Sequence, residues 1–148
     1  MTDFSNLSAL QITEDATAEF VFFGINGEPT LSVRPATQEN KPFFNAVLTK
    51  NKQAQRKAKG RRAVAPTATT LAEARTADIE LFVSFIVTGW TNVVDAKGKA
   101  VKFNKEVCKQ FLEAIPGDMF DELRMFCLDI ANFRLEMDPD ELEELSGK

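Results

Sequence analysis

The spacing of apolar and polar positions predicts a strand pair first and helices afterwards. Residues 1–17 are polar and weakly patterned. "AEFVFFGINGEPTLSVR", residues 18–34, reads as a β-hairpin. Asn26-Gly27 predicts a two-residue type I′ turn, because both of its central positions take positive φ. In the second strand Leu31 and Val33 alternate with Thr30, Ser32 and Arg34, which leaves one face wet. Pro29 has no N–H for a ladder, so it belongs at an edge or at a strand start. The first strand sets Phe20 and Phe22 against Val21 and Phe23, so both of its faces need cover.

A helical period takes over near Asn40 to Pro42, with proline tolerated in the first turn. Phe43, Phe44, Val47 and Leu48 form an i, i+3, i+4 stripe. The stripe stops at Leu48, and Gly60 and Pro66 act as breakers further on. Thr70 with Glu73 predicts a capping box for the next helix. On that helix Leu71, Ala74, Leu81, Phe82, Phe85 and Ile86 share a face, and Ile79, Val83 and Val87 make its second half apolar nearly all round. Such a helix is central and covered on several sides. Its expected end is Gly89, with Trp90 at the joint to a short hairpin.

In that hairpin Asp95-Ala96-Lys97-Gly98 fits a type I turn, flanked by Val93, Val94, Val101 and Phe103. Asn104 is placed to cap the following helix, with Phe103 and Cys108 at the spacing of a hydrophobic staple. That helix carries Val107, Cys108, Phe111, Leu112 and Ile115, and Pro116-Gly117 ends it. Asp118 with Asp121 predicts the cap of a last helix bearing Phe120, Leu123, Phe126 or Cys127, Ile130, and Phe133 or Arg134. The expected class is α+β and mainly helical: an N-terminal hairpin with one helix, then a three-helix unit with an inserted hairpin. The expected divisions are residues 1–58 (hairpin plus helix), 59–69 (basic flexible linker), 70–136 (helical core unit) and 137–148 (acidic tail).

Composition narrows the chemistry. The chain has 148 residues, 44% of them hydrophobic, with 13 phenylalanines and no histidine. Without imidazole there is no Ser-His or Cys-His nucleophile pair and no His-bearing zinc site. Cys108 and Cys127 form no CxxC and sit on inward helix positions, as buried free thiols would. The longest apolar run, "LFVSFIV" at 81–87, is far short of the ~18 residues of a membrane span. The N-terminus has no basic region leading into a long apolar stretch, so no signal peptide is expected. No phosphate loop or EF-hand spacing occurs, and nothing has the ingredients of an enzyme site. No enzyme activity and no cofactor or metal are therefore expected.

The net charge of −4 hides an asymmetry. Between Asn40 and Thr70 lie Lys41, Lys50, Lys52, Arg56, Lys57, Lys59, Arg61 and Arg62 with no acid. The last residues carry Glu136, Asp138, Asp140, Glu141, Glu143 and Glu144 against Lys148. Runs of this kind are commonly solvated faces or docking arms. The basic run interleaves with Gln, Asn and Ala, not with aromatics that stack on bases, which disfavours nucleic acid. It could instead dock an acidic partner or the acidic tail.

The helix ending in "GW", followed by "NVVDAKGKAVKFNKEVCKQFLEAIPGDMFDELRMFCLDIANF", resembles the core of tail assembly chaperones of long-tailed, siphovirus-like bacteriophages. The resemblance rests on Trp90, Asp95, Gly98, Val101, Phe103, Asn104, Phe111, Leu112 and Pro116 and covers roughly residues 78–133. It implies a non-enzymatic protein of the host cytoplasm that is left out of the mature virion. Its implied partners are the tape measure protein, which it would keep soluble, and the tail tube protein, which it would help recruit. It also implies a longer form made by programmed frameshifting, and Gly147-Lys148, after Ser146, is what a slippery run would encode. The candidate partner-binding residues are Phe43, Phe44, Val47 and Leu48, with Arg56, Lys57, Arg61 and Arg62 of the basic arm and the hairpin around Phe20 to Phe23. Two alternatives stay open: a virion structural protein, such as a decoration or minor tail component, and a nucleic-acid-binding accessory protein. Homo-oligomer formation is open as well.

Overall fold

A computed structural model describes residues 2–4, 7, 12, 16–58 and 68–134. The fold is α+β and mainly helical. Strand β1 is Ala18–Val21 and β2 is Thr30–Val33. Helix α1 is Lys41–Ala58 and α2 is Ala68–Phe85. Strand β3, Val87–Thr91, leads to α3, Lys105–Ala114, α4, Gly117–Leu128, and α5, Ala131–Arg134.

The main departure from the sequence reading concerns Trp90. The helix expected to run to Gly89 stops at Phe85, and Val87–Thr91 becomes the third strand of an antiparallel sheet in the order β1-β2-β3. Leu31 of the central strand faces Phe20 on one side and Trp90 on the other, and Val33 faces Ala18 and Val87. Val87 and Trp90 are three residues apart, so regular alternation would set them on opposite faces. An irregularity at Ser32/Val33 resets the register and brings both opposite the buried face of β2. Beyond β3 the expected inserted hairpin shrinks to a single Val94–Ala100 bridge. Its turn is as the sequence predicts: the Gly98 N–H donates to the Asp95 carbonyl at 2.9 Å, and Gly98 has φ 82°.

The first hairpin also differs. The positive-φ pair is Gly27 (87°) and Glu28 (51°), not Asn26 and Gly27. The connection is therefore a longer loop, closed by the Phe22 N–H on the Pro29 carbonyl at 2.9 Å and the Glu28 N–H on the Ile25 carbonyl at 3.0 Å. Pro29 stands just before β2, at the strand start where its missing N–H costs no ladder bond. Phe22 is buried, but Phe23 is 77% exposed and receives no cover.

One core collects Phe22, Leu31 and Val33 from the sheet, Phe43 from α1, Ile79, Phe82 and Val83 from α2, and Cys108, Leu112, Phe120, Leu123, Cys127 and Phe133 from the later helices. It draws on both sides of the segment expected to be a linker. Two chains of edge-to-face or tilted rings run through it. Phe43, Phe82 and Phe120 tie α1, α2 and α4, with centroids 6.4 and 5.3 Å apart. Phe133, Phe126, Phe20, Phe22, Phe111, Trp90 and Phe103 form the other. Trp90 thus packs on Phe103 and on Phe111 of α3, and its indole N–H donates to the Val101 carbonyl at 2.9 Å.

Helix ends follow local chemistry only in part: α2 starts at Ala68, so Thr70 lies inside the helix and not at the cap expected of it. Asn104 caps α3, its Oδ1 accepting from the Val107 N–H at 2.8 Å. The Asp118–Asp121 cap does not form: α4 begins after Pro116, without a side-chain cap. Proline supplies the extended entry there, and Asp118 falls inside the first turn, where it still favours the helix dipole. The last helix is not continuous either. Asp129 breaks it and accepts from the Ala131 N–H at 3.1 Å, restarting the chain as α5.

Candidate partner-binding groove

Three helices, α1, α2 and α4, line a groove of about 870 Å³. Its apolar lining includes Phe43, Phe44, Val47, Leu81, Phe82 and Leu128. Ala36 and Thr37 line it as well, on the segment that joins β2 to α1. That segment is pinned by the Arg34 N–H on the Ile86 carbonyl and the Ala36 N–H on the Cys127 carbonyl, both at 2.8 Å. The groove exists because α1 has few residues to bury after Val47. Beyond it come Thr49, Lys50, Asn51, Lys52 and Gln53, which α2 cannot cover with apolar contact.

Lys50, Glu73, Asp78 and Arg124 add charge to the lining. The Lys50 ammonium reaches across to the Ala77 carbonyl at 3.4 Å. Arg75 and Arg124 both pair with Asp121, at 3.3 and 3.8 Å. Burial raises the Asp78 carboxyl pKa above its usual value; the charges of Arg124, Lys50 and Arg75 oppose the shift and Asp121 adds to it.

The structure sorts the residues proposed from sequence. Phe43, Phe44 and Val47 line the groove, while Leu48 does not and is 44% exposed. Arg56 is exposed on α1, which runs through the start of the basic block. Lys57 lies on α1, and nothing is described of its side chain; Arg61 and Arg62 lie outside the described residues, as does the acidic tail. Trp90, Asp95, Gly98, Phe103, Asn104 and Pro116 hold the joint between β3 and α4, away from the groove lining. Sequence reasoning missed Leu81, Asp78, Arg124 and Leu128. Leu81 was read as part of a buried face, and only the packing of three helices assembles the rest.

Among the described residues no group of three or more Cys, Asp or Glu could hold a metal ion. No helix there is long and apolar enough to cross a membrane. Cys108 and Cys127 are free and buried. Burial pushes the Cys108 thiol up to about 12 and raises Cys127 further. Unfolded thiols lose their protons first as pH rises, so the folded state then holds more protons than the unfolded state. Stability present below the ordinary thiol pKa of 9.0 is therefore lost as pH climbs toward about 12. In urea melts between pH 8 and pH 11, Cys108→Ala is expected to flatten this alkaline decline; an unchanged slope would show that the thiol ionises freely in the fold.

Comparison with known protein families places the molecule among phage-derived proteins. Residues 38–146 match the YdaY prophage protein family, and the chain belongs to it. Comparison with curated proteins and with solved structures gave no match.

Proposed function

We propose that this phage-derived chain is a tail assembly chaperone that binds the tape measure protein, keeps it soluble and helps recruit tail tube subunits. The observation that carries the reading is the apolar groove between α1, α2 and α4 in a chain of a prophage family. Helices laid in a groove present an apolar stripe at i, i+3, i+4 and i+7 and keep their charges at the rim. A lining of Phe43, Phe44, Val47, Leu81 and Leu128, with Lys50, Glu73 and Arg124 among it, suits such an occupant. Phe44 at 37% and Leu128 at 48% exposure leave apolar area that an incoming helix would cover. Binding of this kind makes and breaks no covalent bond and uses no cofactor. The protein acts in the host cytoplasm and is left out of the mature virion.

Co-expression with the tape measure protein of the same prophage tests this. The tape measure protein is expected in the soluble fraction and in complex with the chain. A Phe44→Asp, Val47→Asp double variant that keeps its native circular dichroism should lose most of that complex. Stoichiometric presence in purified virions would instead favour a structural component. Steeply salt-dependent DNA or RNA binding, abolished by Arg56→Gln with Lys57→Gln, would favour a nucleic-acid accessory protein.

A further inference from the structure

Helix α1 and the C-terminal segment carry opposite charge. Helix α1 holds Lys41, Lys50, Lys52, Arg56 and Lys57 and no acid. Lys50 and Gln53 line the groove, and exposed Arg56 follows Gln53 by one turn. Residues 135–148 hold Glu136, Asp138, Asp140, Glu141, Glu143 and Glu144 against Lys148, with Leu135, Met137, Leu142 and Leu145 among them. The α2 wall is acidic through Glu73 and Asp78, so like-charge repulsion directs an acidic occupant toward α1. We propose that the segment 135–148 folds back over the groove of its own chain. Leu142 and Leu145 cover Phe44 and Val47, the acids meet Lys50, Lys52 and Arg56, and an incoming helix must displace the segment to enter.

The segment starts in the right place and is long enough. Leu128 lines the groove, and Arg134, the last described residue, follows it by six positions, at most about 22 Å away. From Phe43 to Arg56 α1 runs about 20 Å, and the segment itself spans up to about 50 Å when extended. Every part of the groove is therefore within its reach. The family match runs over residues 38–146, which takes in α1, α2, α4 and the segment through Ser146 and leaves out β1 and β2. Groove walls and segment thus belong to one family unit. Exposed ion pairs are individually weak, but a tether raises the effective concentration of the segment into about the millimolar range. Leucines placed on the exposed Phe44 ring add apolar burial to the charge pairing. The contact is intramolecular, so it does not depend on which protein the groove binds.

A nitroxide attached through Ser146→Cys in the full, isotope-labelled chain reads the contact by paramagnetic broadening in nuclear magnetic resonance. Cys108 and Cys127 are buried with raised thiol pKa, so the label goes to position 146. The amides of Val47, Lys50 and Gln53 are expected to lose most of their intensity, and those of the Asp95–Gly98 turn to keep theirs. About 1 M NaCl, where the Debye length is about 3 Å, should restore the α1 signals. So should Lys50→Glu with Lys52→Glu and Arg56→Glu, and adding Asp140→Lys, Glu141→Lys, Glu143→Lys and Glu144→Lys to that variant should bring the broadening back. Even, weak broadening over all exposed amides, or broadening that ignores salt and charge reversal, would overturn the proposal. Broadening of an unlabelled-thiol chain by a second, nitroxide-bearing copy would place the segment on its neighbour and overturn closure within one chain. Co-purification with the tape measure protein judges the chaperone reading separately.

Discussion

Phe120→Ala should lower the unfolding free energy by about 3–5 kcal/mol. The ring is 1% exposed and meets Phe82 edge-on at 5.3 Å, and Phe82 in turn meets Phe43 at 6.4 Å. Truncation removes the transfer energy of an aromatic side chain and leaves a cavity between α2 and α4. It also removes an edge-to-face contact worth about 1 kcal/mol beyond area. Phe120→Leu keeps most of the volume and should cost less than half as much. The consequence reaches the groove, because Phe43 and Phe82 are part of its lining and Phe120 backs Phe82. Urea melts of both variants give the magnitude. An alanine cost under about 1 kcal/mol would mean that the ring is not packed as described.

Local chemistry was the legible part of the sequence. The Asn104 cap and the Asp95–Gly98 turn each depend on residues within a few positions of one another, and both form as the pattern predicts. Trp90 was illegible because its strand is defined by a partner far away in the chain. "VTGWT" shows no clean alternation, since the irregularity opposite it at Ser32/Val33 replaces the period-2 signal. Asp118 was misread for a smaller reason: Pro116 can start a helix by itself, so the acid two positions later had no cap left to make.

The groove was half legible. The Phe43, Phe44, Val47 stripe shows one wall, and its abrupt end after Leu48 predicts that α1 cannot be fully covered. The opposite wall lies on a helix whose apolar residues face several ways, so nothing local separates Leu81, which lines the groove, from Val83, which is buried in the core. Leu48 illustrates the limit from the other side. It shares the helical stripe but is not in the lining.

Asn40→Ala is the second large effect, at about 3–4 kcal/mol. Asn40 is fully buried and does three jobs with one amide. Its Oδ1 accepts from the Phe43 N–H at 3.4 Å, which caps α1. Its Nδ2 donates to the Pro35 carbonyl and to the Phe85 carbonyl, both at 3.1 Å. The second of these satisfies a carbonyl in the last turn of α2, a position with no partner inside its own helix. Alanine forfeits a cap worth about 1 kcal/mol and strands two buried carbonyls at about 1–3 kcal/mol each, with relaxation recovering part. Asn40→Asp separates this account from a simple volume effect. Aspartate fills the same space and keeps the cap acceptor, but it turns an anionic oxygen toward two carbonyls. It should therefore cost more than alanine at pH 7, and the gap should narrow as falling pH protonates the carboxyl and restores a donor. Asp tolerated better than Ala at neutral pH would show that the cap alone matters and that the amide does not join α1 to the end of α2.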